Sequence, residues 1–243
     1  MDISTKLDQL HLQAIENKWL GYFAVFNRIV LAVGFLPAGY VKIVGERFAG
    51  GLSVNHPLGH YLEALHHTGY YYPFIGVLQV IAAVLLLIPR TVTLGAVLYF
   101  PIILNICILS FAVRFEGAYV QVPLMVLANL YLLCWNYDKL KFILPFNHTT
   151  LPTLNPKKKN LSTKFPTIFF MGVVATVILW AVIILQAYDI EPKTNSSDCQ
   201  SQCERSDNPK ACTDFCNCIY KQGNPLDQCL DNYNRATEQK GIK

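Results

Sequence analysis

The sequence predicts an all-α fold, a polytopic membrane helix bundle with a small disulfide-stapled helical tail domain, and three observations predict it. Three apolar runs, PFIGVLQVIAAVLLLI, VTLGAVLYFPIILNICILSFAV and YVQVPLMVLANLYLLCWNY, stand almost shoulder to shoulder between residues 72 and 137. Apolar stretches at 19–41 and 166–188 flank them, making a four-helix core plus a fifth transmembrane helix. Six of the eight cysteines crowd into a polar tail, between residues 199 and 229. A bilayer core takes about 20 mostly apolar residues per helical span, and these runs hold almost no charge. Only 15% of the 243 residues are charged, against roughly 25% in a soluble domain, which argues against a soluble enzyme. The formal charge of +4 is small and its lysines are clustered. It therefore speaks to membrane topology, with lipid as a partner and no nucleic acid expected.

Residues 1–18 read as an amphipathic segment in which Leu7, Leu10, Leu12 and Ile15 alternate with polar neighbours. The opening Met1-Asp2-Ile3-Ser4-Thr5-Lys6 lacks the charged-then-apolar pattern of a signal peptide, so the first apolar stretch is expected to be a retained span. The membrane core covers 19–141. Within it, residues 43–70 form a longer connection, and the piece 57–65 has the apolar spacing of an interfacial helix, capped by Tyr70, Tyr71 and Tyr72 at headgroup level. Pro89-Arg90-Thr91 and Arg114-Phe115-Glu116-Gly117 are the only separators between the central runs, so those helices should pack as antiparallel neighbours. A basic loop follows at 142–165, then the fifth span at 166–188 and the cysteine-rich domain at 189–243. An inside N-terminus puts Lys6, Lys18, Arg90 and the lysines of the basic loop in the cytoplasm. The same choice places the six tail cysteines outside, where disulfides persist. The expected location is a bacterial inner membrane, N-terminus cytoplasmic, tail periplasmic or extracellular.

Two constellations are candidates for chemistry in the core. Arg28 lies early in the first span, where an arginine costs about 2.5–3.5 kcal/mol on insertion scales and should face the bundle interior or snorkel. Gln79, Asn105 and Asn129 sit midway along the other helices and are its expected partners. They either bond helix to helix or line a polar pocket for a quinone headgroup or small anion. At the outer rim stand Lys42, Glu46, Arg47, His56, His60, Glu63, His66, His67 and Arg114. His56 with His60, and Glu63 with His67, have the i,i+4 spacing of metal ligands, but the rim reads better as a docking surface, and no metal is assigned.

The tail reads Cys199-x3-Cys203, Cys212-x3-Cys216, Cys218 and Cys229. An x3 spacing sets two sulfurs one helical turn apart on one face. Two such pairs about a turn at Ser206-Asp207-Asn208-Pro209 suit an antiparallel hairpin stapled twice, Cys199 to Cys216 and Cys203 to Cys212, leaving Cys218 for Cys229. Six cysteines allow fifteen connectivities, and a redox-active Cys216-x-Cys218 pair is the alternative to staples. Cys107 and Cys134 lie in the apolar body, where a lone cysteine serves as a small hydrophobe.

The patterns Asn27-Arg28, Gly34-Phe35 and Gly39-Tyr40-Val41-Lys42, then Leu85-Leu86-Leu87-Ile88-Pro89-Arg90, Gly95 and Asn105, resemble DoxX-family membrane proteins over about residues 17–141. At Gln79 the family often carries a glutamate. The resemblance implies a four-helix membrane fold and a subunit linked to thiosulfate:quinone oxidoreduction or membrane thiol redox work. Three functions follow as expectations. The first is a membrane subunit joining extracytoplasmic thiol or sulfur chemistry to a quinone pool. The second, favoured by the residues alone, is a non-enzymatic scaffold whose tail docks a protein partner outside. The third is a small-solute transporter using Arg28 and Asn105. No cofactor is evident from the residues; quinone is the one the resemblance allows.

Overall fold

The computed structural model describes residues 11–140 and 162–241, and every regular element in them is helical. Most of the expected amphipathic segment and nearly all of the basic loop, with Lys157, Lys158 and Lys159, lie outside the described residues. Helix α1 is Lys18–Val44 and runs 27 residues, about 40 Å at the α-helical rise, so it overruns a hydrocarbon core of about 30 Å. Helix α2 is Pro57–His66, with Pro57 at its first position and His56 as N-cap. Helix α3 is Tyr71–Leu87, α4 is Val92–Ala112 and α5 is Gln121–Trp135. A short α6, Tyr137–Leu140, closes that stretch, and α7 is Thr167–Leu185.

Among the described residues, four helical segments are long and apolar enough to cross a membrane: Lys18–Val44, Val92–Ala112, Glu116–Trp135 and Thr167–Ile184. The expected span at α3 stops at 17 residues because Pro89 disfavours helical backbone just before it. With α2 it makes a pair bent by 101°, the chain turning through Gly69 at φ +64°, a conformation suited to glycine.

The chain sorts into two compact units, and each takes parts of several helices. The first draws on Met1–Pro37, Leu78–Leu104 and Pro123–Trp180. Its core pairs small residues with a few large ones: Ala82, Ala83 and Ala96 are fully buried beside Leu31, Leu86 and Leu132. Phe35 stacks on Tyr99 with ring centroids 3.6 Å apart, and the Tyr99 hydroxyl donates to the Leu31 carbonyl at 3.2 Å. Gly95 permits a close approach, since a Cβ there would lie 2.7 Å from the Leu86 nitrogen; small residues play this part where lipid removes the hydrophobic drive between helices. Aromatic rings gather at the start of α1, where Trp19 packs on Phe165 and Phe23 on Phe169, Phe170 and Tyr131. Trp19 Nε1 donates to the Thr163 carbonyl at 3.2 Å, the placement of an interfacial belt.

The second unit comprises Ala38–Val77, Asn105–Val122 and Ala181–Lys243. It contains the tail, where α8 is Ser196–Gln202, α9 is Pro209–Tyr220 and α10 is Leu226–Gly241. Asn195 and Asn208 cap α8 and α9 through their side-chain oxygens, the role short polar side chains fill at helix starts. The bonds are Cys199–Cys216, Cys203–Cys212 and Cys218–Cys229, with Cα separations of 5.8, 5.4 and 5.8 Å. Two join the α8 limb to α9 and the third joins α9 to α10, around a core of Phe215, Ile219 and Tyr233.

Candidate functional sites in the two units

In the first unit, the polar side chains resolve differently from expectation. Arg28 does not turn toward Gln79 or Asn129. Its Nε donates to the Leu86 carbonyl and its Nη2 to the Leu87 carbonyl, both at 2.7 Å. It therefore caps the last turn of α3, where carbonyls have no partner within the helix. Asn105 belongs to the second unit and is exposed. Gln79 and Asn129 are buried, at 2% and 0% exposure, and sequence reasoning missed two companions, Asn27 and Thr93, at 4% and 7%. Asn129 Nδ2 donates to the Ala96 carbonyl at 3.1 Å. Four atoms in this set have no hydrogen-bond partner: Asn27 Nδ2, Gln79 Oε1, Thr93 Oγ1 and Asn129 Oδ1. The spacing Asn27-Leu31-Phe35, one buried residue per turn, is the sequence signal that sets Asn27 on the inner face of α1.

In the second unit, the rim residues close on one another and on backbone. Arg47 organises the loop before α2, its Nη2 donating to the Leu52 and Gly59 carbonyls at 3.1 and 3.2 Å. Its Nε lies 3.0 Å from Glu63 Oε2, and the other Glu63 oxygen lies 3.0 Å from His67 Nε2. Tyr72 donates to the Glu46 carbonyl at 2.9 Å and accepts from the Phe48 amide at 2.8 Å. His66 Nε2 sits 2.9 Å from the Gly45 carbonyl. Lys42 is buried, donating to the Ala38 carbonyl at 2.9 Å with its ammonium 4.2 Å from the Phe48 ring centre. His60 is exposed.

His56 is wholly buried and both its nitrogens are engaged. Nδ1 accepts from the Leu58 amide at 3.0 Å, which leaves Nε2 to donate to the Pro192 carbonyl at 3.3 Å. Burial pushes its pKa down to about 4, with the Pro192 hydrogen bond pulling weakly the other way. The i,i+4 ligand pair with His60 is thus closed, because a neutral ring with both nitrogens committed has no lone pair to offer a metal. Cys203, Cys212 and Cys216 bring their sulfurs within 4.8 Å of one another, but each is in a disulfide and presents no thiolate.

Residues 188–194 form a strap that the loops of this unit grip. Arg114 donates to the Ile190 carbonyl at 3.3 Å and lies 4.5 Å from the Tyr188 ring centre. The Ser53 amide donates to the Thr194 carbonyl at 3.2 Å, and Asn55 Nδ2 to the Tyr220 carbonyl at 2.7 Å. The Tyr220 hydroxyl donates to the Lys193 carbonyl. Lys193 reaches Glu116 at 2.6 Å and Glu191 at 3.4 Å. Burial opposes the charge on Lys193, yet the two carboxylates outweigh it and hold its pKa above the ordinary value. Burial raises Glu191, against the pull of Lys193.

No family model matches the chain, and no solved structure matches it. Among curated proteins, the chain is 36% identical over 121 residues to the uncharacterized protein YwoB of Bacillus subtilis strain 168. The match takes in 48% of this chain and 77% of that one.

Proposed function

Since the chain belongs to the same family as Bacillus subtilis YwoB, itself uncharacterised, we propose its role from its own residues: a non-enzymatic membrane subunit that docks a partner protein through its stapled tail. The observation that carries this reading is the state of the six tail cysteines. All are paired, and none is more than 5% exposed. Thiol exchange needs an accessible sulfur and a thiolate, so buried bridges support a structural role. The strap supports it as well, because a tail gripped by polar contacts is presented in one orientation. In this reading the core is DoxX-like, the membrane is a bacterial inner membrane, the N-terminus is cytoplasmic and the tail faces an oxidising compartment.

Photo-crosslinkers at the exposed positions Gln200 and Asp231, in native membranes, test the docking. One discrete heavier species is expected, lost when the tail is reduced first. The reading fails if no adduct forms, or if the purified protein reduces a soluble quinone with a thiol or sulfur donor. Impermeant maleimide tests the topology: it should label Lys210→Cys from outside intact cells and spare Arg90→Cys.

A second reading, a redox subunit serving a quinone pool, draws on the unpaired atoms of Asn27, Gln79, Thr93 and Asn129. Of these, only the Asn27 amide and the Thr93 hydroxyl could donate to a quinone carbonyl.

A further inference from the structure

The two bridges that tie the α8 limb to α9 gather four sulfurs in one small volume. Cys199 and Cys203 on one limb, and Cys212 and Cys216 on the other, each have the x3 spacing. That falls within the two to four residues that separate paired cysteine ligands in structural zinc sites. The sulfurs of Cys203, Cys212 and Cys216 all lie within 4.8 Å of one another, and Cys199 is bonded to Cys216. Across the two bridges, Cys203 Sγ is 4.0 Å from Cys216 Sγ. A zinc ion held tetrahedrally by four thiolates at about 2.3 Å spaces their sulfurs about 3.8 Å apart. The contact between bridges therefore already has the edge of that tetrahedron, and cleaving the two S–S bonds lets the bonded pairs open to it.

The surroundings suit a closed, all-sulfur site. Residues 189–243 contain no histidine, so the ligand set is four thiolates. Gln202 Nε2 donates to the Glu191 carbonyl at 2.9 Å and stands 3.4 Å from Cys199 Sγ and 4.0 Å from Cys216 Sγ. An amide N–H at sulfur gains strength when the sulfur carries charge, the part an outer partner plays around bound metal. None of the four cysteines is more than 4% exposed, as in a structural site. The ion has no need of a path through the folded tail, because in small domains of this kind metal binding and folding are one step. Cys218 is two residues past Cys216, so it faces away from the four.

We propose that the reduced tail is a zinc domain, in which Cys199, Cys203, Cys212 and Cys216 hold one Zn²⁺ in place of two disulfides. Each bridge takes two electrons and two protons from a dithiol or phosphine reductant and yields two thiols. Zn²⁺ then displaces the four thiol protons and forms four Zn–S bonds, with no change in its oxidation state. The proposal goes beyond the docking function and does not rest on it.

The test uses the full chain in lipid nanodiscs, reduced with a phosphine under argon, freed of reductant and titrated with Co²⁺ and then Zn²⁺. The intense visible bands of a tetrahedral cobalt thiolate are expected at one equivalent, and one equivalent of zinc should abolish them. Zinc should protect Cys199, Cys203, Cys212 and Cys216 from alkylation, read by mass mapping, and leave Cys218 and Cys229 reactive. Cys203→Ser should remove the bands, and Gln202→Leu should weaken zinc about tenfold while the cobalt spectrum keeps its form. Absence of the bands overturns the proposal, as does protection that spreads to Cys218 and Cys229. Equal metal uptake by the oxidised chain overturns it too, by placing the metal elsewhere. The protection map is read on the unsubstituted chain, so it decides the matter even where Cys203→Ser does not accumulate. Failure of the cobalt titration leaves the docking function standing, and failure of the Gln200 crosslink leaves the zinc site standing.

Discussion

The tail domain and the helix bundle of the first unit solve the same problem, holding helices together, by opposite means. In the tail, three bridges fall within 31 residues (199 to 229) and every cysteine sulfur is buried. The bundle uses no covalent link among its described residues; it relies on alanine and glycine contacts, the Phe35–Tyr99 stack and side chains bonded to backbone carbonyls. The difference follows from size and solvent. A small domain in water buries too little apolar surface to fold unaided and needs staples. A bundle in lipid has its helices fixed by insertion, so only packing remains to be decided.

Reduction should break this comparison most sharply. Each bridge restricts the unfolded chain by about 3 kcal/mol, so removing Cys199–Cys216 and Cys203–Cys212 by double alanine substitutions should melt the tail while leaving the bundle intact. Limited proteolysis should then cleave after residue 195 and spare α1, α4 and α5; a tail that stays resistant would place its stability in Phe215, Ile219 and Tyr233 instead.

Acid should act next, through the strap. His56 has a folded pKa of about 4 against an ordinary value near 6.5, so the folded form resists protonation. Its stabilising contribution is complete above about pH 6.5 and is lost progressively as pH falls toward 4, by at most about 3 kcal/mol. Hydrogen exchange at residues 190–195 should rise over that window, and His56→Asn, which keeps an N-cap, should flatten the response. A profile unchanged by that substitution would overturn the assignment to His56, and Glu191 could not take its place, since burial raises its pKa and acid then favours the folded form.

Smaller effects sharpen the picture of the bundle. Arg28→Leu loses two bonds to the end of α3 and should cost about 1–2 kcal/mol, read as a lower melting temperature in detergent. Asn129→Leu removes an unpaired oxygen along with one bond to the Ala96 carbonyl. It should be within about 1 kcal/mol of neutral. A large loss there would mean that Asn129 Oδ1 accepts from a donor in the membrane, which a quinone carbonyl cannot be.

The spans were legible because length and apolarity are properties of contiguous residues. So were the staples: the x3 spacing encodes one helical turn, and the pairing it suggested is the one formed. A helix was expected at 57–65, and α2 is Pro57–His66. Roles that depend on distant backbone stayed hidden. Arg28 finds carbonyls at Leu86 and Leu87, and His56 finds one at Pro192; every residue carries a carbonyl, so no motif marks the ones that will be used.

The grip on the strap also sets an order of events during synthesis. His56 and Pro192 are 136 residues apart, and a ribosome adding about 5–20 residues per second makes the first on the order of ten seconds before the second. Through that interval the imidazole has no Pro192 carbonyl to donate to, and the loop shaped by Arg47 waits without its occupant. The strap then arrives at a seat made from chain that was synthesised earlier, and its arrival is what fills that seat.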